Sequence, residues 1–161
     1  MLQVWKPAVV VAAIIERAGR FLLVEEDTED GIRYNQPAGH LEPGESLEQA
    51  VVRETLEETA HDFTPTALVG TYLMRFQNPQ GDLLSTFIRF AFAGELGLQH
   101  DRPLDDGIRR TVWMTRDELA ACRKLHRSPL TLQCIDDYLR GQRAPLSLLF
   151  TQTAIRGNID E

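Results

Sequence analysis

The stretch Gly39-His-Leu-Glu-Pro-Gly-Glu45-Ser-Leu-Glu-Gln-Ala-Val-Val-Arg53-Glu54-Thr-Leu-Glu57-Glu58-Thr-Ala-His61 decides how this chain is read. It opens with glycine and proline residues and then turns into a run of helix formers. Ser46, followed three residues later by Gln49, has the pattern of a capping box, so a helix is expected from Ser46 to about Thr59. On that helix Glu54, Glu57 and Glu58 fall within about 100° of arc, because i, i+3 and i+4 neighbours share a face. Leu47, Ala50 and Val51 lie on the same arc one and two turns earlier. The carboxylates therefore continue a stripe that begins apolar, while Val52 and Leu56 point to the opposite side.

Like charges at this spacing repel, more so when partly buried. Arg53 can pair with Glu57 at i, i+4, but one arginine cannot balance three glutamates. A hard divalent cation can: magnesium takes oxygen ligands, binds one or two carboxylates, and keeps waters and substrate phosphates in its shell. The alternative is a solvated, salt-bridged helix face. Ala38-Gly39 can turn a backbone carbonyl toward the helix, and Gly39 and Gly44 permit conformations that other residues resist. Glu45, just before the helix, favours the positive end of the helix dipole and could also hold Arg53.

Gly39, five residues, Glu45, seven residues, then Arg53-Glu54-Thr55-Leu56-Glu57-Glu58 resembles the Nudix box, Gly-x5-Glu-x7-Arg-Glu-U-x-Glu-Glu-x-Gly-U, where U is aliphatic. Every charged position matches. Thr55, Ala60 and His61 depart from the pattern, at positions concerned with packing and helix exit. The resemblance implies a Nudix fold of the α/β class, a mixed β-sheet sandwiched between α-helices, over one domain spanning residues 1–161. It implies that Glu54, Glu57 and Glu58, with the Ala38 carbonyl, ligate magnesium, with manganese as the alternative ion, and that Arg53, Glu45 and Gly39 hold loop and helix together. The ion would activate water and neutralise phosphate oxygens. The water's proton would pass to Glu54, to Glu57 or to a loop outside the box, where Asp105-Asp106, with Asp106 as the candidate base, is the obvious pair; a solvated loop is the other reading.

Outward from the box, Val9–Ile15 and Phe21–Glu25 read as a hairpin turning at Ala18-Gly19, and Arg33–Gln36 as a short extended piece stopped by Pro37. Ala38–Glu45 reads as a loop. Ala67–Phe76 and Leu83–Ala93 read as strands around the turn Asn78–Asp82, and Thr111–Met114 as another strand. Thr115 with Glu118 forms a second capping box, opening a helix to about Leu125. A last helix takes Ser128 as its cap, Pro129 in its first turn and Gly141 as its stop.

The 161 residues suit one domain with a substantial core, and 43% hydrophobic with 25% charged residues is the balance of a globular protein. A net charge of −7 argues against a nucleic-acid polymer or an anionic membrane as partner. The apolar run Val9–Ile15 is too short to span a bilayer and lacks the flanks of a signal peptide. Cys122 and Cys134 lack metal-ligand spacing and read as reduced thiols, which suits the cytoplasm. Either a monomer or a homodimer is compatible with the sequence.

Three further patches bear on the substrate. Tyr34-Asn35-Gln36-Pro37-Ala38-Gly39-His40-Leu41-Glu42, Leu125-His-Arg-Ser-Pro-Leu130 and Gly141-Gln-Arg-Ala-Pro-Leu146 resemble the NudJ-type branch. That branch acts on hydroxymethylpyrimidine pyrophosphate, thiamine pyrophosphate and nucleoside di- and triphosphates, releasing terminal phosphate. Strand alternation sets Arg89 on one face with Phe87 and Ala91, where it could clamp phosphate or simply meet solvent. Tyr34 could stack on a flat ring or pack in the core. Arg127 and Arg143 are weaker phosphate candidates. Two alternatives remain: a MutT-type enzyme releasing pyrophosphate from nucleoside triphosphates, and a Nudix-fold binding or regulatory module without turnover.

Overall fold

Long β-branched and aromatic runs interrupted by Gly- and Asn-bearing turns give this chain its strands, and capped amphipathic segments give its helices. The computed structural model describes residues 4–154. The strands are β1 (Ala8–Ile14), β2 (Glu16–Arg17), β3 (Arg20–Thr28), β4 (Gly31–Asn35), β5 (Ala38–His40), β6 (His61–Gln77), β7 (Leu83–Gln99) and β8 (Ile108–Thr115). The α-helices are α1 (Leu47–Thr59), α2 (Arg116–Ala121) and α3 (Leu130–Leu139), with short 3-10 turns at Arg123–Leu125 and Leu146–Leu148.

The strands form two sheets where the sequence predicts one. The first has the order β5-β1-β7-β6; β1 and β7 run parallel and the other pairs are antiparallel, so this sheet is mixed. The second is antiparallel and centred on β3, with β8 along one edge and β2 and β4 on successive parts of the other. The expected hairpin at Ala18-Gly19 is real only between β2 and β3. The chain changes sheets at Ile15, which leaves β1 free to pair with β5 and β7. The expected loop from Ala38 to Glu45 likewise starts later, because Ala38–His40 is recruited as an edge strand beside β1.

Both faces of the β3 sheet are covered. Leu22 packs with Val11, Ala13, Phe92 and the α1 residues Ala50 and Val51. Its neighbours Phe21 and Leu23 pack the other way, against Leu119 of α2 and Leu132 and Ile135 of α3. The layered α/β architecture follows from this alternation. The mixed sheet presents β1 and β5 beside α1, so the last residues of β5 and the second half of the helix face each other.

Helix α1 carries both bonds of its capping box: Gln49 N–H donates to the Ser46 hydroxyl, and the Gln49 side chain accepts from Ser46 N–H. Thr55, standing at an aliphatic position of the box, is fully buried and donates its hydroxyl to the Val51 carbonyl. Ala60, standing at a glycine position, closes the helix in the left-handed region with φ 59. An L-residue there is strained by about 1–2 kcal/mol, part of which a glycine would return through its freer unfolded chain. Ala60→Gly is therefore expected to stabilise the protein by up to about 1 kcal/mol, a rise of about 2–4 °C in Tm by thermal melting. A lower Tm would mean that the buried Ala60 methyl matters more than its backbone.

Helix α3 begins one residue later than expected: Pro129 stands at its N-cap in place of Ser128, whose hydroxyl still accepts from Leu130 N–H, and Gly141 at φ 81 lies beyond its end. Cys122 ends α2 and Cys134 lies buried in α3, both as free thiols. Among the described residues no helix is long and apolar enough to cross a membrane.

Candidate active site

Arg53 is the centre of the ion-pair web that joins the loop to α1. Its Nε donates to Glu45 Oε1 at 2.6 Å and its Nη2 to Glu45 Oε2 at 3.1 Å, a bidentate grip. Nη2 also donates to the His40 carbonyl at 2.9 Å, which fixes the end of β5. Nη1 reaches Glu54 at 2.8 Å and Glu57 at 2.9 Å on the helix itself. The hydrogen bond from Arg53 holds the Glu45 carboxyl below the usual carboxylate range, against the effect of burial. Arg53 is itself driven further up, first by Glu45 and then by Glu54 and Glu57, and stays charged at any working pH.

Glu54 and Glu58 are both 8% exposed, Glu57 less deeply buried, and all three border one cavity with Ala38 and Gly39. Ala38 N–H donates to Glu58 Oε2 at 2.9 Å. Burial pushes the Glu58 carboxyl up to about 8, with the Ala38 N–H opposing and Glu54, Glu26 and Asp105 adding to the rise. Burial raises Glu54 as well, against the pull of Arg53 and with help from Glu57 and Asp105. A Cβ at Gly39 would overlap the Glu54 carboxylate, so the carboxylate can occupy this position only beside a glycine. Gly39 has no positive φ; its role is space, while Gly44, at φ 86, supplies the backbone freedom expected of both.

These oxygens fit a divalent cation. The surplus of negative charge at a buried face is what such an ion offsets, and carboxylate and carbonyl oxygens are the donors that hard ions prefer. Among the described residues no three Asp, Glu, His or Cys side chains close around a single point. The spacing is open because Arg53 Nη1 sits between Glu54 and Glu57. Magnesium tolerates an open set, since it retains water and substrate phosphate in its shell.

The cavity has a volume of about 710 Å³ and three kinds of wall. The carboxylates and Asp105 form one end. Glu26, Asn35, Arg89 and Arg127 form a polar side. Met74, Phe76 and Phe87, from β6 and β7, form an apolar side on which Phe76 and Phe87 meet edge to face at 5.8 Å. Arg89, 6% exposed, donates to Gln36 Oε1 at 3.0 Å and to Asn35 Oδ1 at 2.9 Å, and it borders the cavity together with Phe87, with which it shares a face of β7.

Two candidate residues lie elsewhere. Tyr34 is outside the cavity lining: its neighbour Asn35 faces the cavity, so alternation turns Tyr34 to the α2/α3 face, where its hydroxyl donates to Glu25 at 3.1 Å. Asp106 is exposed and also outside the lining. Asp105 N–H donates to the Glu57 carbonyl at 3.0 Å, which pins Asp105, rather than Asp106, at the cavity edge. Of the weaker arginines, Arg127 borders the cavity, while Arg143 lies over the Tyr138 ring at 3.9 Å and donates to the Tyr138 carbonyl. Glu26 and the β6–β7 aromatic wall were not singled out from the sequence. The period of two along β3 sets Glu26 on the face of Leu22 and Val24, but the residue precedes a turn and reads as a solvated loop residue.

Comparison with known proteins agrees with this geometry. A profile of the NUDIX domain matches residues 5–133. Phosphatase NudJ of Escherichia coli is 36% identical over 146 residues, covering 90% of this chain and 92% of that protein, and its Shigella flexneri namesake matches to the same extent. A solved NUDIX hydrolase from Nitrosomonas europaea superposes with a TM-score of 0.83 at 47% identity, covering 91% of this chain and 98% of the other. A MutT NUDIX hydrolase from Burkholderia pseudomallei, at TM-score 0.67 and 20% identity over 83% of this chain and 98% of the other, shares the fold. Sequence, fold and site thus converge: the chain belongs to the NUDIX family, hydrolases of phosphoanhydride bonds in small phosphorylated substrates that use a divalent metal ion.

Proposed function

We propose that this enzyme is a magnesium-dependent phosphatase of small organic pyrophosphates and nucleotides that releases the terminal phosphate. The observation that carries this is the 36% identity, over 90% of the chain, to a relative named as a phosphatase. Ala38, through its carbonyl, and Glu54, Glu57 and Glu58 hold the ion; manganese, which also accepts oxygen ligands, is the alternative. When bound, the ion neutralises phosphate oxygens and makes water nucleophilic at neutral pH. Arg53 is a positioning residue, since its bonds to Glu54 and Glu57 set those carboxylates relative to the loop held through Glu45 and His40.

The remaining work is positioning and charge stabilisation, as expected of phosphoryl transfer. The attacking water gives its proton to a carboxylate oxygen of Glu54 or Glu57, or to Asp105, which borders the cavity where Asp106 does not. Arg89 turns unused N–H donors of a buried guanidinium toward substrate phosphate. The chain works as one domain in the cytoplasm, on small molecules and not on nucleic-acid polymers.

Product analysis with one nucleoside triphosphate and magnesium tests the proposal. Orthophosphate is the expected product. Pyrophosphate would indicate MutT-type cleavage, and no magnesium-dependent release across a panel of phosphorylated metabolites would sink the proposal.

A further inference from the structure

Glu26 sits near the end of β3, paired with Arg33 of β4 and beside a bulge where β3 shifts register against β8. It borders the same cavity as Phe76, Phe87 and Arg89. Its Oε1 is sealed from solvent and is the one buried side-chain oxygen or nitrogen without a hydrogen bond among the described residues. The nearest cation is Arg127, whose Nε stands 3.6 Å from Oε1, too far for a good hydrogen bond. No donor reaches the other oxygen either, and since that atom is not sealed, it is the one with access to the cavity.

Two nearby polar side chains are engaged elsewhere. Arg89 spends donors on Asn35 and Gln36, and the Gln36 amide donates to the Thr131 carbonyl at 2.6 Å. Burial raises the Glu26 carboxyl, with Arg127 and Arg89 pulling it back. A half-exposed arginine at 3.6 Å does not offset the burial of a carboxylate, so stability does not explain the residue. An acceptor kept unpaired at the wall of a substrate cavity matches a donor on the substrate.

We infer that Glu26 is a specificity-determining residue whose carboxylate accepts a hydrogen bond from an N–H or O–H group on the organic part of the substrate, with Arg127 holding its far oxygen. This rests on the proposed pyrophosphate hydrolysis and deepens it. The enzyme then favours pyrophosphates whose organic group is a flat ring bearing an amine or hydroxyl, set between Glu26 and the wall of Phe76 and Phe87, over pyrophosphates of plain alkyl chains.

The test compares thiamine pyrophosphate, whose pyrimidine bears an exocyclic amine, with a prenyl pyrophosphate, which has no donor in its organic part. The prenyl compound serves as a substrate or, if it turns over slowly, as a competitive inhibitor. Glu26→Met, which removes the acceptor at similar volume, is expected to raise the KM for thiamine pyrophosphate about 10- to 100-fold, the worth of one hydrogen bond to a charged group. Its kcat, its magnesium activation constant and the KM or Ki of the prenyl compound should shift no more than about threefold on the same scale. Glu26→Gln keeps an acceptor oxygen and should recover most of the affinity for thiamine pyrophosphate. Equal losses for both compounds, a changed magnesium requirement, or an unchanged KM for thiamine pyrophosphate would overturn the role of Glu26 while leaving the proposed activity intact. A wild-type enzyme that releases phosphate from no pyrophosphate would overturn that activity and this inference with it.

Discussion

Glu54→Gln and Glu58→Gln each yield a folded protein whose turnover is reduced at least about 10²- to 10³-fold, the usual loss when one electrostatic contact to the developing transition state is removed. Neither substitution changes volume, and in Glu58→Gln the amide oxygen can still accept from Ala38 N–H. What disappears is charge at two positions where burial already penalises it. The sign of the stability effect is therefore opposite to that on activity. A carboxyl raised in the folded state to about 8 contributes stability that is complete below its unfolded value near 4.5 and is lost as pH rises through about 8. Metal-free wild type should thus melt at lower temperature at pH 9 than at pH 6, and Glu58→Gln should flatten that slope, with a Tm a few degrees above wild type at pH 9. Magnesium should raise the Tm of wild type, most at high pH, and much less that of Glu58→Gln. Phosphate release and thermal melts on the same samples check both halves. A Glu54/Glu58 double variant that still turns over would remove these residues from the metal site.

The box was legible because its chemistry is local. Three glutamates and one arginine within two turns define a face by helical geometry alone, and the Ser46–Gln49 cap is a pattern of four residues. The web around Arg53 was only half legible. Its i, i+4 bond to Glu57 follows from the helix, whereas its bond to the His40 carbonyl depends on Ala38–His40 joining β1 as an edge strand. That recruitment is a tertiary choice: three residues with no strand propensity of their own pair because Val10, Val11 and Ala12 offer an edge. The switch of sheets at Ile15 was hidden for the same reason, since β1 and β3 read alike along the chain and differ only in their partners. Tyr34 and Asp106 show the precision that is missing at the site. Each is one residue from a position that borders the cavity, Asn35 and Asp105, and a strand or a turn inverts its facing with every step.

Gly39→Ala is expected to separate folding from catalysis more cleanly than any change to a carboxylate. A Cβ there meets only the carboxyl end of Glu54, with no backbone atom among the nearest contacts. The end of a flexible side chain can swing aside, so stability should be nearly unchanged, within about 1 kcal/mol. The displaced group is, however, a proposed metal ligand that Arg53 Nη1 holds at 2.8 Å. Moving it by about 1 Å should cost about a hundredfold or more in kcat/KM, since misplacement on that scale is enough to lose the reacting geometry. Gly44→Ala is the counterpart. Nothing lies within 4 Å of its added Cβ, but φ is 86, so alanine is strained there by about 1–2 kcal/mol and the cost should appear in Tm instead. Two glycines five residues apart would then fail in opposite ways, one in kcat/KM and one in thermal stability. If Gly39→Ala retained full activity, Glu54 would have to work from a second position, and the close approach of β5 to α1 would not be what holds it in place.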